Sequence, residues 1–120
     1  MTAIEYRDLN YYAWRLHKDN IDAGWWADGK DKYVLATKLM LVVSEISEAM
    51  EGLRKDKMDD HLPHRKAVEV ELADALIRIF DFAGALNLDI SGAFNEKLRY
   101  NAERQDHKKE SREAEGGKKF

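Results

Sequence analysis

Glu71-Leu72-Ala73-Asp74-Ala75-Leu76-Ile77-Arg78-Ile79-Phe80-Asp81-Phe82-Ala83 is the stretch that decides the fold of this 120-residue chain. On a helical wheel, Val68, Leu72, Ala75, Leu76, Ile79, Phe80, Phe82 and Ala83 cover one broad half, and Val70 and Ile77 fall on the far side. A narrow polar stripe remains: Glu71, Asp74, Arg78 and Asp81. A helix that is apolar nearly all round is buried, and a polar stripe on it lines a site or pairs with other charges. A buried helix is expected over residues 65–86.

A second acidic step, Glu45-Ile46-Ser47-Glu48, lies upstream in another helical stretch, expected over residues 31–54. A spacing of three sets two side chains about 60° apart on one helical face. Leu35, Leu39, Val42, Val43, Ile46, Met50 and Leu53 form the main apolar face of this helix. Leu41 falls on the other side, so the glutamates have apolar surface on both flanks. The segment 55–64 is charged, holds the single proline and lacks periodicity, so it reads as an exposed loop. It is long enough for the two helices to run antiparallel. His61 and His64 within it read as solvated loop residues or as metal ligands.

Working outward, a first helix is expected over residues 2–23, with Thr2 and Glu5 in a capping-box pattern and an apolar stripe of Leu9, Tyr12, Ala13 and Leu16. His17 and Asn20 follow on the next turns. Gly24 ends the helix, and Trp25-Trp26-Ala27-Asp28-Gly29 makes a loop. The tryptophan pair has two readings, a hydrophobic plug under the bundle or a flat wall for a nucleobase. Asp89 is a fair N-cap for a fourth helix over residues 90–104, on which Lys97, Asn101 and Arg104 share a face. The fold class is all-α, a bundle of about four helices completed by oligomerisation, with a helical domain over residues 1–104 and a charged, mobile tail over 105–120.

Composition narrows the function. The net charge of −3 argues against binding a nucleic-acid polymer through general electrostatics. The absence of cysteine excludes disulfides, thiolate zinc sites and cysteine nucleophiles. The apolar run 33–43 is interrupted by Lys38 and too short to span a bilayer, and Glu5, Arg7 and Asp8 stand where a signal peptide needs an apolar core. A cytoplasmic protein is expected.

Four carboxylates converging between two helices are costly to bury unless a cation sits among them. Oxygen-only donors suit Mg²⁺ or Mn²⁺. Mg²⁺ commonly bridges substrate phosphates, so a phosphate-bearing ligand and attack of water on phosphorus are expected, with Lys97, Asn101 and Arg104 supplying donors. A di-iron bundle would need Glu-x-x-His steps, and none of His17, His61, His64 or His107 follows an acid by three residues. The bland alternative is a helical interaction module with acidic pairs as surface charge.

The ordered set Glu45-x-x-Glu48, Glu71-x-x-Asp74 and Lys97-x-x-x-Asn101-x-x-Arg104 resembles the signature of the MazG-like nucleoside triphosphate pyrophosphohydrolases, relatives of the all-α dimeric dUTPases and dCTP pyrophosphatases. The likeness runs from Ala13 to Arg104 and takes in Leu39-Met40-Leu41 and Leu72-Ala73. Ser44 departs from it, since members often carry a glutamate there. Gly117-Lys118-Lys119-Phe120 looks like the end of some phage and bacterial members. The resemblance implies that Glu45, Glu48, Glu71 and Asp74 hold Mg²⁺ and that Lys97 and Asn101 meet the phosphates. It places His17, Asn20, Trp25 and Trp26 near base and sugar. It implies cleavage between the α- and β-phosphates by a homodimer or dimer of dimers, in a bacterial cell or phage-infected host. A non-catalytic nucleotide-binding or protein-interaction module of the same family is the alternative.

Overall fold

The computed structural model describes residues 8–104 and 109–117. Five helices follow in order: α1 (Leu9–Asp22), α2 (Lys32–Arg54), α3 (Ala67–Ala85), α4 (Ile90–Glu103) and the short α5 (Lys109–Glu113). Among the described residues there is no strand, only an isolated bridge between Met58 and Lys66. None of these helices is long and apolar enough to cross a membrane. The described residues fall into two compact units that divide between Leu88 and Asp89. Thr2 and Glu5, His107 and Lys118 to Phe120 lie outside the described residues.

The helix starts are fixed by side chains that satisfy the first free amides. Asp8 accepts from Tyr11 N at 2.8 Å as the N-cap of α1, which begins at Leu9. Asp31 accepts from Tyr33 N and Val34 N at 2.8 and 3.0 Å. Asp89 accepts from Gly92 N at 2.9 Å, as its position before α4 suggested. At α3 the Lys66 amide donates to Glu69 Oε1 at 3.2 Å. Gly24 and Gly29, with φ of 88° and 85°, bracket the tryptophan loop in backbone that favours glycine. Between α2 and α3 the chain is pinned by Asp59, which accepts from the amides of His61 and Leu62 at 2.9 and 2.8 Å.

In the first unit α3 packs against both α1 and α2. The surfaces that meet are built from small residues: Ala13 on α1, Ala49 and Gly52 on α2, Ala67, Ala75 and Ala83 on α3, all buried. A Cβ on Gly52 would stand 2.9 Å from Ala67 Cβ, which measures how closely α2 approaches α3.

This packing corrects two expectations. The buried stripe of α2 is Glu45, Ala49 and Gly52, at helical spacings of four and three. Of the larger side chains expected to face inward, Leu35 and Val42 are half-buried and Leu39, Val43, Ile46, Met50 and Leu53 are exposed. Helix α3 is likewise not buried all round, since Leu72, Leu76 and Ile77 are exposed. Small residues permit the close approach that brings the inward carboxylates together. Among the described residues most of these bulky side chains are left exposed.

Candidate active site

Glu45 projects from the buried face of α2 towards α3, where Glu71 and Asp74 stand one turn apart. One carboxylate oxygen from each of the three lies within 4.8 Å of the others. Glu71 Oε2 is buried with no hydrogen-bond partner. Glu48, one turn beyond Glu45 and exposed, lies against Glu71 but outside the close group of three. Arg78, a turn beyond Asp74, donates from Nε to Glu45 Oε1 at 3.0 Å.

Acceptors here face acceptors. Burial, then the nearness of Glu45 and Glu48, pushes the Glu71 carboxyl up to about 8. Asp74 is raised above the usual carboxylate range by burial and by Glu45, partly offset by Arg78. An orphaned buried oxygen among acceptor-only groups fits a hard divalent cation, which would satisfy all of them at once.

The raised Glu71 makes a testable statement about stability. At acid pH both folded and unfolded chains hold its proton, and there is no cost. As pH rises from the ordinary 4.5 through about 8, the unfolded chain gives up the proton while the folded chain retains it, so stability falls. In chelator, Glu71→Gln is therefore expected to melt close to the parent at pH 5 and about 5 °C higher at pH 8.5, the shift that roughly 1 kcal/mol gives in a small domain. A melting difference that stays flat across this range would show that Glu71 carries no such cost.

Glu45 and Asp74 open onto a cleft of about 330 Å³ lined also by Asn20, Trp25, Trp26, Lys38, Leu41, Ile77, Arg78, Asp81 and Phe82. That volume lies at the lower end of the range typical of small-molecule sites. The tryptophan pair divides its labour. Trp26 is 8% exposed, whereas Trp25 is 68% exposed. The two neighbours thus differ, one buried in the unit and the other open on the cleft.

His17 is buried and does not line the cleft. Its Nδ1 meets Asp81 Oδ1 at 2.9 Å, and its Nε2 is buried with no partner. A buried N–H without an acceptor costs more than a buried lone pair of the same ring here, so the proton belongs on Nδ1, facing the carboxylate. Asp81 also accepts from Trp26 Nε1, at 2.9 and 3.2 Å to its two oxygens. His17 therefore stands behind the aromatic wall.

Lys97 and Asn101 lie on α4 and Arg104 is its C-cap residue, all in the unit that begins at Asp89. Lys97 Nζ and the Arg104 guanidinium carbon stand 4.5 and 5.7 Å from the Tyr100 ring centroid. Two of the three residues read as sharing a face, Lys97 and Arg104, thus stand against one aromatic ring. His61 and His64 are exposed and join no cluster of metal-ligand type among the described residues.

Lys38 and Arg78 are cleft residues that carried no assigned role in the sequence. Lys38 donates to Trp25 O at 2.7 Å and stands 4.5 Å from the Trp26 ring centroid. Its signal was a lone lysine inside an apolar run. Arg78 was visible in the polar stripe of α3, but its partner Glu45 is 33 residues away. No protein-family model, curated protein or solved structure matches this chain.

Proposed function

We propose that the chain is a MazG-like nucleoside triphosphate pyrophosphohydrolase, which cleaves nucleoside or deoxynucleoside triphosphates to monophosphate and pyrophosphate. The observation that carries this reading is that Glu45 and Asp74, two members of the acid cluster, line the same cleft as Asn20, Trp25 and Trp26. Carboxylates suited to Mg²⁺ (or Mn²⁺) at one side and an aromatic wall at the other match the two ends of a nucleotide.

In this reading Glu45, Glu71 and Asp74, with Glu48 beside them, hold the cation. A bound Mg²⁺ supplies charge neutralisation of the triphosphate and a more acidic water. Water attacks the α-phosphorus, the bond to the β-phosphate oxygen breaks, and pyrophosphate leaves. Glu48, the exposed acid beside Glu71, takes the water's proton. Lys97, Asn101 and Arg104 bind the phosphates. Asn20 and Trp25 contact sugar and base, with His17 supporting the wall from behind.

The reading includes a second copy, or a dimer of dimers, seated on the outward apolar face of α2 and α3. Met40, Val43, Met50 and Leu53 on α2 and Leu76 on α3 are each more than half exposed, and among the described residues no large side chain is fully buried. A small helical domain completes its core in this way. Sedimentation equilibrium is expected to give an even multiple of the 13.9 kDa chain mass, and Met50→Glu with Leu53→Glu to give the single-chain mass. A monomeric parent would remove this part of the reading. Place and partners follow from the same reading: the cytoplasm of a bacterial cell or phage-infected host, a nucleotide as substrate, and no nucleic-acid polymer.

The test is a chromatographic product assay with each common NTP and dNTP, with Mg²⁺ and with chelator. Monophosphate plus pyrophosphate, lost with chelator, is expected. Diphosphate plus phosphate would overturn the bond assignment. Mg²⁺-dependent thermal stabilisation without any product would favour the non-catalytic binding module.

A further inference from the structure

Asp81 lies on the cleft but takes no part in the chemistry proposed above. It is 7% exposed and stands two turns beyond Asp74 on α3. A carboxylate so placed must find donors, and those it has come from two other elements. His17 of α1 meets it through Nδ1, and Trp26 of the loop donates Nε1 across both its oxygens. The His17 ring also meets Trp26 edge-on, centroids 5.0 Å apart and planes at 81°.

Trp26 is gripped on its face as well. Lys38 Nζ and Lys30 Nζ lie 4.5 and 5.8 Å from its ring centroid. Each lysine is anchored in turn, Lys38 on Trp25 O at 2.7 Å and Lys30 on Ala85 O at 3.1 Å. Packing alone does not call for a carboxylate at this position, since a well-fitted apolar side chain would avoid the cost of burying a charge. What the carboxylate adds is direction. Two oxygens sharing one indole N–H fix the plane of the ring, and the backbone carbonyl of the adjacent Trp25 is tied to the same group of side chains.

We infer that Asp81 is a positioning residue for the nucleotide: by fixing the plane of Trp26 it sets the Trp25-Trp26 wall, and so governs how tightly the base-bearing end is held while leaving cation binding at the acid cluster unchanged. This inference rests on the pyrophosphohydrolase reading.

Two measurements separate the one from the other. The chain has three tryptophans, so with Trp14→Phe and Trp25→Phe its emission comes from Trp26 alone. In that background Asp81→Asn is expected to move the emission to longer wavelength and increase its quenching by acrylamide. In the otherwise unaltered chain, Asp81→Asn is expected to raise KM for the hydrolysed nucleotide about tenfold, as for one lost charge-assisted hydrogen bond, with kcat changed less than about threefold. Its stabilisation by Mg²⁺ should equal the parent's. Trp26→Phe, which keeps a ring but loses the N–H, is expected to give a similar KM, and the double variant the same rise rather than the product of the two. A multiplicative double variant, or loss of Mg²⁺ stabilisation in Asp81→Asn, overturns the assignment. So does an unchanged KM and emission in a chain whose parent is active. A parent that hydrolyses no nucleoside triphosphate overturns the function reading and the nucleotide role with it. The emission then shows separately whether Asp81 sets Trp26.

Discussion

Asp74→Ala and Glu45→Ala are each expected to lower turnover by roughly 10³-fold or more, and to abolish thermal stabilisation by Mg²⁺, without loss of helical circular dichroism. Both residues belong to the group whose carboxylate oxygens lie within 4.8 Å of one another, so removing either takes a donor from the cation. Alanine is the strongest helix former, and both positions lie inside long helices, so secondary structure should persist. Glu45→Ala takes the Glu45 carboxylate from Arg78, but that side chain is 40% exposed and can turn to water. Glu48→Ala separates two roles. Glu48 is exposed and outside the close group, so its loss should remove turnover while leaving most of the Mg²⁺ stabilisation. Near-parent activity in both Asp74→Ala and Glu48→Ala would sink the site assignment. Equal loss of Mg²⁺ stabilisation in Glu48→Ala and Asp74→Ala would make Glu48 a ligand rather than a base.

The acid cluster was legible because each half of it is local. A spacing of three on a helix puts two carboxylates on one face whatever the rest of the chain does. The composition of α3 argued against a plain solvent stripe for those acids, and the capping Asp89 marked where α4 begins. The facing of α2 was not legible in the same way. Hydrophobic pattern weighs side chains by size, and by that weight the stripe of Leu39, Val43, Met50 and Leu53 should turn inward. The helix instead turns Glu45, Ala49 and Gly52 to α3. A stripe of small residues is nearly silent in a hydrophobic pattern, although it is what allows two helices to come close.

Non-local pairings were out of reach for a different reason. Asp81 was visible as part of a polar stripe, and His17 and Trp26 as residues of interest, but their hydrogen bonds join positions 64 and 55 residues apart. No spacing rule connects such positions, since the register between α1 and α3 is set by packing. The tryptophan pair could be read as plug or wall from its composition. The two residues differ in burial: Trp26, whose N–H meets the Asp81 carboxylate, is 8% exposed, and Trp25 is 68% exposed.

Gly84→Val is expected to lower the melting temperature by more than about 10 °C and to disturb the cleft from a distance. A Cβ at this position would fall on the Ala13 carbonyl oxygen, 2.6 Å from His17 Cβ and 2.9 Å from the Ala13 carbonyl carbon. These atoms belong to the backbone and the side-chain root of α1, so relief requires moving the helix itself. Overpacking of a rigid contact costs typically 1–3 kcal/mol, about a fifth of the stability of an ordinary domain or more. Glycine inside a helix is itself unfavourable by about 1 kcal/mol relative to alanine. Gly84→Ala should therefore stabilise the chain if the position is open and destabilise it if α1 crosses here. The sign of that change tests the crossing directly, and a higher melting temperature for Gly84→Ala would refute it. The crossing also bears on function. Gly84 is one turn beyond Asp81, and its neighbour on α1 is His17. Displacing α1 lengthens the 2.9 Å contact between His17 and Asp81, so the Gly84→Val chain should show the same longer-wavelength Trp26 emission as Asp81→Asn, with the acid cluster between α2 and α3 left in place.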